Sequence, residues 1–258
     1  MSSCDEQRET HGPVEPCELP NDIQLVYVDD RDRRRTIALE DAAGLDFSLA
    51  KAFRKPLAYR GQRNFPGWWW SATTRSHVLY ESWLERHHVI EADRDAHVVA
   101  ILGQPFELTW LVGKRQVRHV PDLFCRMLGG QVVVTDCRTV SSPGEKFRRR
   151  AAVTAAACLQ VGWDYRLVGE PDPIWAANLR WLAGYRHPRF GDEPLEELLV
   201  SLYARAQPLS AAQQAGDPIR VRPVLFHLLW RGRLSADLGR PLGETTILTT
   251  CADPVEEA

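Results

Sequence analysis

The sequence predicts an α/β protein: a mixed sheet flanked by helices, followed by a separate helical segment that closes on a β-hairpin. Three observations lead there. Helical and strand-like periodicities alternate between about Val78 and Leu167, only helical periodicity continues beyond Pro171, and the last stretch returns to strand, turn and strand. With 258 residues, 44% of them hydrophobic and 26% charged, the chain can bury a sizeable core in one domain plus a smaller one. That composition is ordinary for globular proteins and by itself names no activity.

The formal net charge of −2 conceals an asymmetry, because residues 1–30 carry eight acids against Arg8 and the remainder is mildly basic, at +5. Residues 1–30 read as an acidic flexible tail, with 31–172 as the sheet domain and 173–258 as the helical one. Ile23 to Tyr27 alternates weakly and is a candidate first strand. Arg31, Arg33, Arg34 and Arg35 read as a solvated basic loop. No apolar run reaches the roughly 18 residues that span a membrane, and the N-terminus lacks a signal-peptide core. Cys4, Cys17, Cys125, Cys137, Cys158 and Cys251 form no CxxC pair, so the expectation is reduced thiols in a cytoplasmic protein.

Asn64 to Ser71, NFPGWWWS, is aromatic and turn-rich, and Pro66-Gly67 is expected to break any regular element. Its tryptophans fit either packing onto the core or stacking on bases. Val78, Leu79, Trp83, Leu84 and Ile90 recur at helical spacing, giving an amphipathic helix from Val78 to about Ile90. Strand-like runs follow at His97–Leu102, Phe106–Val112 and Arg115–Phe124, the last two joined by a turn at Gly113-Lys114 as a hairpin. Gln131–Arg138 is a further strand. Ser142 as N-cap, Pro143 at the first helical position and Glu145 closing a capping box start a helix that runs to about Gln160. Gly162 ends it, and Trp163, Tyr165 and Leu167 alternate as one more strand.

Past Pro171, Ile174–Tyr185 and Leu195–Ala206 are periodic. A short helix follows Leu209-Ser210, and a longer one starts near Arg222-Pro223 and runs through Trp230. The stretch Leu234–Leu248 then reads as a hairpin. Three helices closed by a hairpin describe a winged helix. Arg220, Arg222, Arg231, Arg233 and Arg240 are its candidate phosphate contacts; a protein-binding surface fits the same residues.

The residues with chemical potential lie in order: Glu81 in YESWLER, Asp122 in HVPD, Asp136 in VVVTDCR, and Arg138 two positions on. Hydrolysing a phosphodiester needs charge neutralised on the phosphoryl group and hydroxide generated near neutral pH, and carboxylate-held Mg²⁺ or Mn²⁺ does both. Residues 136 and 138 share one face of a strand, so an acid and a cation point the same way, and the Cys137 carbonyl between them is a further oxygen ligand. Pro121 removes a backbone donor just before Asp122, favouring a bulged or edge position. Asp136 in so apolar a strand is costly unless paired or metal-bound. Glu85 competes with Glu81, and Lys146 with Arg138 as the cation. His119 reads as structural, and the adjacent His87 and His88 are expected to point apart. There is no GxSxG, no GK[ST] phosphate loop and no HExxH.

PD followed by D-x-R, behind a helical Glu, resembles the PD-(D/E)xK nuclease core. The wider context, ESWLE, HVPDLF, GWDYRLVGE and LLWRGRLSADLGRPL, resembles the TnsA family, the endonuclease subunit of heteromeric transposases. The resemblance covers about residues 60–250. It implies a restriction-endonuclease-like domain followed by a winged helix, which cuts double-stranded DNA at transposon ends beside a transposase subunit and an AAA ATPase regulator. Glu81, Asp122 and Asp136 match that family's metal-site acids. Arg138 stands at its lysine position, where it can clamp phosphate charge but cannot act as a base. A stand-alone restriction or defence nuclease, or a catalytically inactive DNA-binding adaptor, fits the same residues.

Overall fold

The computed structural model describes residues 14–54, 65–139 and 144–251. The chain divides into two compact units, Met1–Val89 with Val98–Glu170, and Ile90–His97 with Pro171–Ala258. The first unit contains β1 (Gln24–Val28), β2 (Arg34–Ala38), β3 (Gly67–Trp70), β4 (His77–Tyr80), most of α1 (Trp83–Arg94), β5 (Val98–Gly103), β6 (Phe106–Val112), β7 (Arg115–His119), β8 (Leu123–Met127), β9 (Val132–Cys137), α2 (Glu145–Gln160) and β10 (Asp164–Val168).

Two four-stranded sheets carry this unit. One runs β2-β1-β6-β7 and is antiparallel throughout. The other runs β10-β9-β8-β5, with β5–β8 and β8–β9 antiparallel and β9–β10 parallel. They share one core: Leu25, Phe106, Leu108 and Trp110 of the first sheet pack with Phe124, Val132 and Val134 of the second and with Val153, Ala157 and Cys158 of α2. Phe47 lies among the rings of Tyr27, Phe106, Phe124 and Trp163, with centroids 5.2–5.7 Å away, close enough for tilted and edge-on aromatic contacts.

Several expectations are corrected. Residues 24–30 are not tail: Leu25 is fully buried and β1 lies inside a sheet. Arg34 and Arg35 belong to β2 rather than a loop, and the Asp29 carboxylate caps the turn by accepting from the Arg31 and Arg33 amides. Pro66-Gly67 does not end regular structure. Gly67–Trp70 pairs with His77–Tyr80, which buries Trp69 while Trp68 stays exposed. The same pairing claims Val78 and Leu79 for a strand, so the helix starts later, at Trp83. Ser82 and Glu85 set that start, since Ser82 Oγ accepts from the Glu85 amide and the Glu85 carboxylate accepts from Ser82 Oγ and the Glu81 amide, as in a capping box. Arg115–Phe124 is two strands in different sheets, split at Val120-Pro121-Asp122. Ser142 and Pro143 lie outside the described residues.

The second unit contains α3 (Pro173–Leu182), α4 (Glu193–Leu202), β11 (Gln207–Pro208), a 3₁₀ turn at Leu209–Ala215, α5 (Pro218–Trp230), β12 (Leu234–Ser235) and β13 (Ile247–Thr250). The three strands pair in the order β11-β13-β12, and β11 had no expected counterpart. Asp172, Asp192 and Asp217 each cap a helix with a proline in its first turn. That signal starts α5 at Pro218, ahead of the expected Arg222, and leaves Pro223 inside the helix, where it cannot donate to the Ile219 carbonyl. Among the described residues no helix is long and apolar enough to cross a membrane, and the five described cysteines are free.

Candidate metal centre

Asp122 and Asp136 lie where β8 begins and β9 ends. The pairing of these strands runs to Leu123↔Thr135, and the Asp122 amide donates to the Thr135 carbonyl at 3.1 Å. Pro121 makes this possible: lacking an amide hydrogen, it ends the β7 edge and lets the chain cross between sheets. On the other side Gln104 donates its amide to the Asp122 carbonyl at 3.0 Å. Both carboxylates are buried, Asp122 at 7% and Asp136 at 0% exposure.

Each acid is held differently. Asp122 Oδ2 accepts from the Cys137 amide at 2.8 Å and lies 3.4 Å from Arg138 Nη1. The same guanidinium nitrogen donates to the Cys137 carbonyl at 2.6 Å, so a cationic nitrogen sits where those two oxygens converge. The Arg138 guanidinium also stacks on Phe147 of α2, 4.3 Å from the ring centre. Asp136 Oδ2 is 2.7 Å from both His119 Nε2 and the Tyr165 hydroxyl. Its Oδ1 is buried and has no hydrogen-bond partner among the described residues.

The electrostatics follow from this placement. Burial, then the charges of Asp136 and Glu85, push the Asp122 carboxyl well above the usual carboxylate range, against the pull of Arg138 and the Cys137 amide. Burial works in the same direction on Asp136, but the charge and hydrogen bond of His119, the Tyr165 hydroxyl and Arg138 outweigh it, and the net shift is downward. Tyr165 is pushed up by burial and by the Asp136 charge, so its hydroxyl remains a donor. The Cys137 thiol is pushed up by burial and by the charges of Asp122, Glu85 and Asp136.

The acid expected on the helix is not Glu81. Glu81 lies in the bend between β4 and α1, with Arg54 3.6 Å away. Glu85, one turn into α1, is the acid whose charge bears on Asp122 and Cys137. Its own carboxyl is raised by burial and by Glu81, opposed by hydrogen bonds from the Glu81 amide and Ser82 and by Arg138. Lys146 is exposed on α2, and Arg138 is the cation beside Asp122. Among the described residues, Glu81, Asp122 and Asp136 do not bring three ligand atoms within 4.8 Å of one another. His87, His88 and Glu91, within helix α1, do. The two adjacent histidines therefore do not diverge as expected. Their rings lie 5.2 Å apart, His88 Nε2 is 3.0 Å from the Gly169 carbonyl, and Glu91 accepts from Trp175 Nε1.

Sequence reasoning missed Gln104 and Tyr165. Gln104 is fully buried with φ 52°, a left-handed conformation that a non-glycine residue adopts under constraint. Its Oε1 accepts from Arg54 at 2.6 Å and its Nε2 lies 3.5 Å from Asp122 Oδ1. Arg54 thus links Glu81 to the residue that backs Asp122. The only local signal was Gly103-Gln104-Pro105, which reads as a turn. Nothing near Tyr165 marked its hydroxyl, because its partner is set by the parallel pairing of β10 with β9.

The oxygen-rich donor set fits a hard divalent cation. Among the described residues one carboxylate oxygen, Asp136 Oδ1, is left without a hydrogen-bond partner.

No family model matches the chain and no curated protein matches it. Among solved structures, the crystal structure of protein VC1899 from Vibrio cholerae matches over 40% of this chain and 32% of that one, at 13% identity and a TM-score of 0.24.

Proposed function

We propose that the first unit is a Mg²⁺- or Mn²⁺-dependent DNA endonuclease and that the chain serves as the nuclease subunit of a heteromeric transposase, cutting a phosphodiester at transposon ends. The observation that carries the chemistry is the Asp136 oxygen Oδ1, buried and without a partner beside a second buried carboxylate that its own charge raises. The ionised form of Asp122 is costly in that setting, and a divalent cation would offset its charge. Asp136 Oδ1, Asp122 and the Cys137 carbonyl are the oxygens that would hold the ion, with Glu85 or Glu81 as a further acid. When bound, such an ion polarises a phosphoryl oxygen and lowers the pKa of a coordinated water.

The protein's own groups supply the rest. His119 and Tyr165 fix Asp136 through Oδ2, so Oδ1 is the oxygen that would be offered to an ion. Arg138, stacked on Phe147, is placed to clamp developing phosphate charge as a fixed cation. Adjacent antiparallel strands deliver the two acids at one end of a sheet, which agrees with the restriction-endonuclease-like reading of the sequence. In the second unit, helices α4 and α5 with the β11-β13-β12 sheet agree with a winged helix. The transposase assignment, with its partner transposase subunit and AAA ATPase regulator, rests on the sequence resemblance.

The test is nicking of supercoiled duplex DNA with Mg²⁺ or Mn²⁺. Wild type is expected to nick only with metal, and Asp122→Ala and Asp136→Ala each to lose at least about 10²-fold, the scale on which an electrostatic catalytic group acts. Metal-dependent nicking that survives both substitutions rejects this site. Neighbouring genes for an integrase-like transposase and an AAA ATPase are expected, and their absence rejects the transposase assignment.

A further inference from the structure

The β6–β7 hairpin is built around a two-residue turn, with Val112↔Arg115 as its last pair and Gly113 at φ 61°. Glycine first in such a turn matches the right-handed strand twist. At its base the hairpin belongs to the core, through Leu108 and Trp110. At its tip it leaves it: residues 111–116 are all exposed, Leu111 by 50% and Val112 by 62%. Between Glu107 and Asp122 the chain carries Lys114, Arg115 and Arg118 and no acid. Glu107 itself faces Arg34 at 3.4 Å. β7 is the free edge of its sheet, and it ends at His119, which holds Asp136. An exposed, uniformly cationic ribbon with an apolar tip is thus covalently continuous with the candidate metal centre.

The geometry points to the β6–β7 hairpin as a DNA-contacting ribbon that lies along duplex DNA and positions the phosphodiester chain for the acid site. A two-stranded ribbon fits the major groove. Lys114, Arg115 and Arg118 neutralise phosphates, and Leu111 and Val112 pack against the groove wall. The inference deepens the nuclease reading and rests on it for the identity of the partner. Charge complementarity selects the polyanion, since a protein partner would need an acidic surface to cover three cations that no acid among the described residues balances.

The test measures duplex binding by the full chain in EDTA, so the result is independent of whether the acid site cuts. The triple variant Lys114→Gln, Arg115→Gln, Arg118→Gln is compared with wild type from 50 to 200 mM salt. Each lost phosphate contact flattens the slope of log K against log salt by about 0.9. The expected flattening is therefore about 2.7, with affinity lower by on the order of 10²-fold at 0.1 M salt. All three side chains are exposed, so the variant is expected to melt with wild type. In a second measurement, a benzophenone amino acid replacing Val112 is expected to crosslink to DNA. An unchanged slope in a folded variant, or wild type that fails to bind duplex DNA at 50 mM salt, overturns the proposal. Altered binding without any metal-dependent nicking upholds the ribbon and rejects the nuclease reading alone.

Discussion

Replacing Tyr165 by phenylalanine isolates one interaction of the buried Asp136 carboxylate. The substitution keeps the ring, which packs against the shared core, and removes only the hydroxyl 2.7 Å from Oδ2. Asp136 then has His119 as its single partner, because Oδ1 already has none. A hydrogen bond to a charged group contributes about 1.5–3 kcal/mol. At 2–4 °C per kcal/mol for a chain of this size, Tm at pH 7 is expected to fall by roughly 3–12 °C. The sign of the pH dependence follows from the lowered carboxyl. Its folded pKa lies below the ordinary 3.8, so the stabilisation is complete above 3.8 and is lost as pH falls through the folded value. The deficit of Tyr165→Phe should accordingly shrink at strongly acidic pH. Thermal melts of wild type, Tyr165→Phe, Asp136→Asn and the double variant give the coupling directly. A coupling near zero at pH 7 would refute the claim that the hydroxyl stabilises this ion.

Two further outcomes are expected. Asp122 is raised by burial and by its acidic neighbours, so without metal its ionised form opposes folding and stability falls as pH rises above the ordinary carboxylate range. Asp122→Asn should melt higher than wild type at pH 7.5 in EDTA and lose most of the stabilisation by Mn²⁺; a metal-free melt no higher than wild type contradicts the reasoning. His227 is pushed below its ordinary 6.5 by burial, although its Nδ1 contact with the Tyr185 carbonyl works the other way. Its contribution is complete above 6.5 and is lost as pH falls from there through the lowered folded value. Chemical denaturation followed in the second unit should show a midpoint declining from pH 7 to pH 5, and His227→Gln should flatten the decline.

The sequence carried the strands and helices wherever periodicity was uninterrupted, as in Val132–Cys137 and the alanine-rich helix to Gln160. It also exposed Asp122, Asp136 and Arg138, because proline before one acid and an apolar strand around the other are local signals. What it hid was set by pairing. Val78 and Leu79 fit a helical stripe equally well, and only the tryptophan strand opposite makes them β. The weight of Glu85 over Glu81 follows from where the capping box starts the helix. Gln104 in the bend after β5, His119 on β7 and Tyr165 on β10 reach the acids through the pairing of the strands, and no spacing rule links them.

β5 and β8 are hydrogen-bonded neighbours, with Gly103 opposite Leu123, although the whole β6–β7 excursion separates them. Excursions of this kind leave and rejoin the framework at adjacent points, so their outer portion can lengthen or shorten while the ladder beneath stays in register. Closing a longer loop adds little entropy, about 0.6 kcal/mol per doubling. Residues 111–116 are therefore the place where this chain can accept grafted segments and acquire a different reach, provided Leu108, Trp110 and His119 at the root are retained.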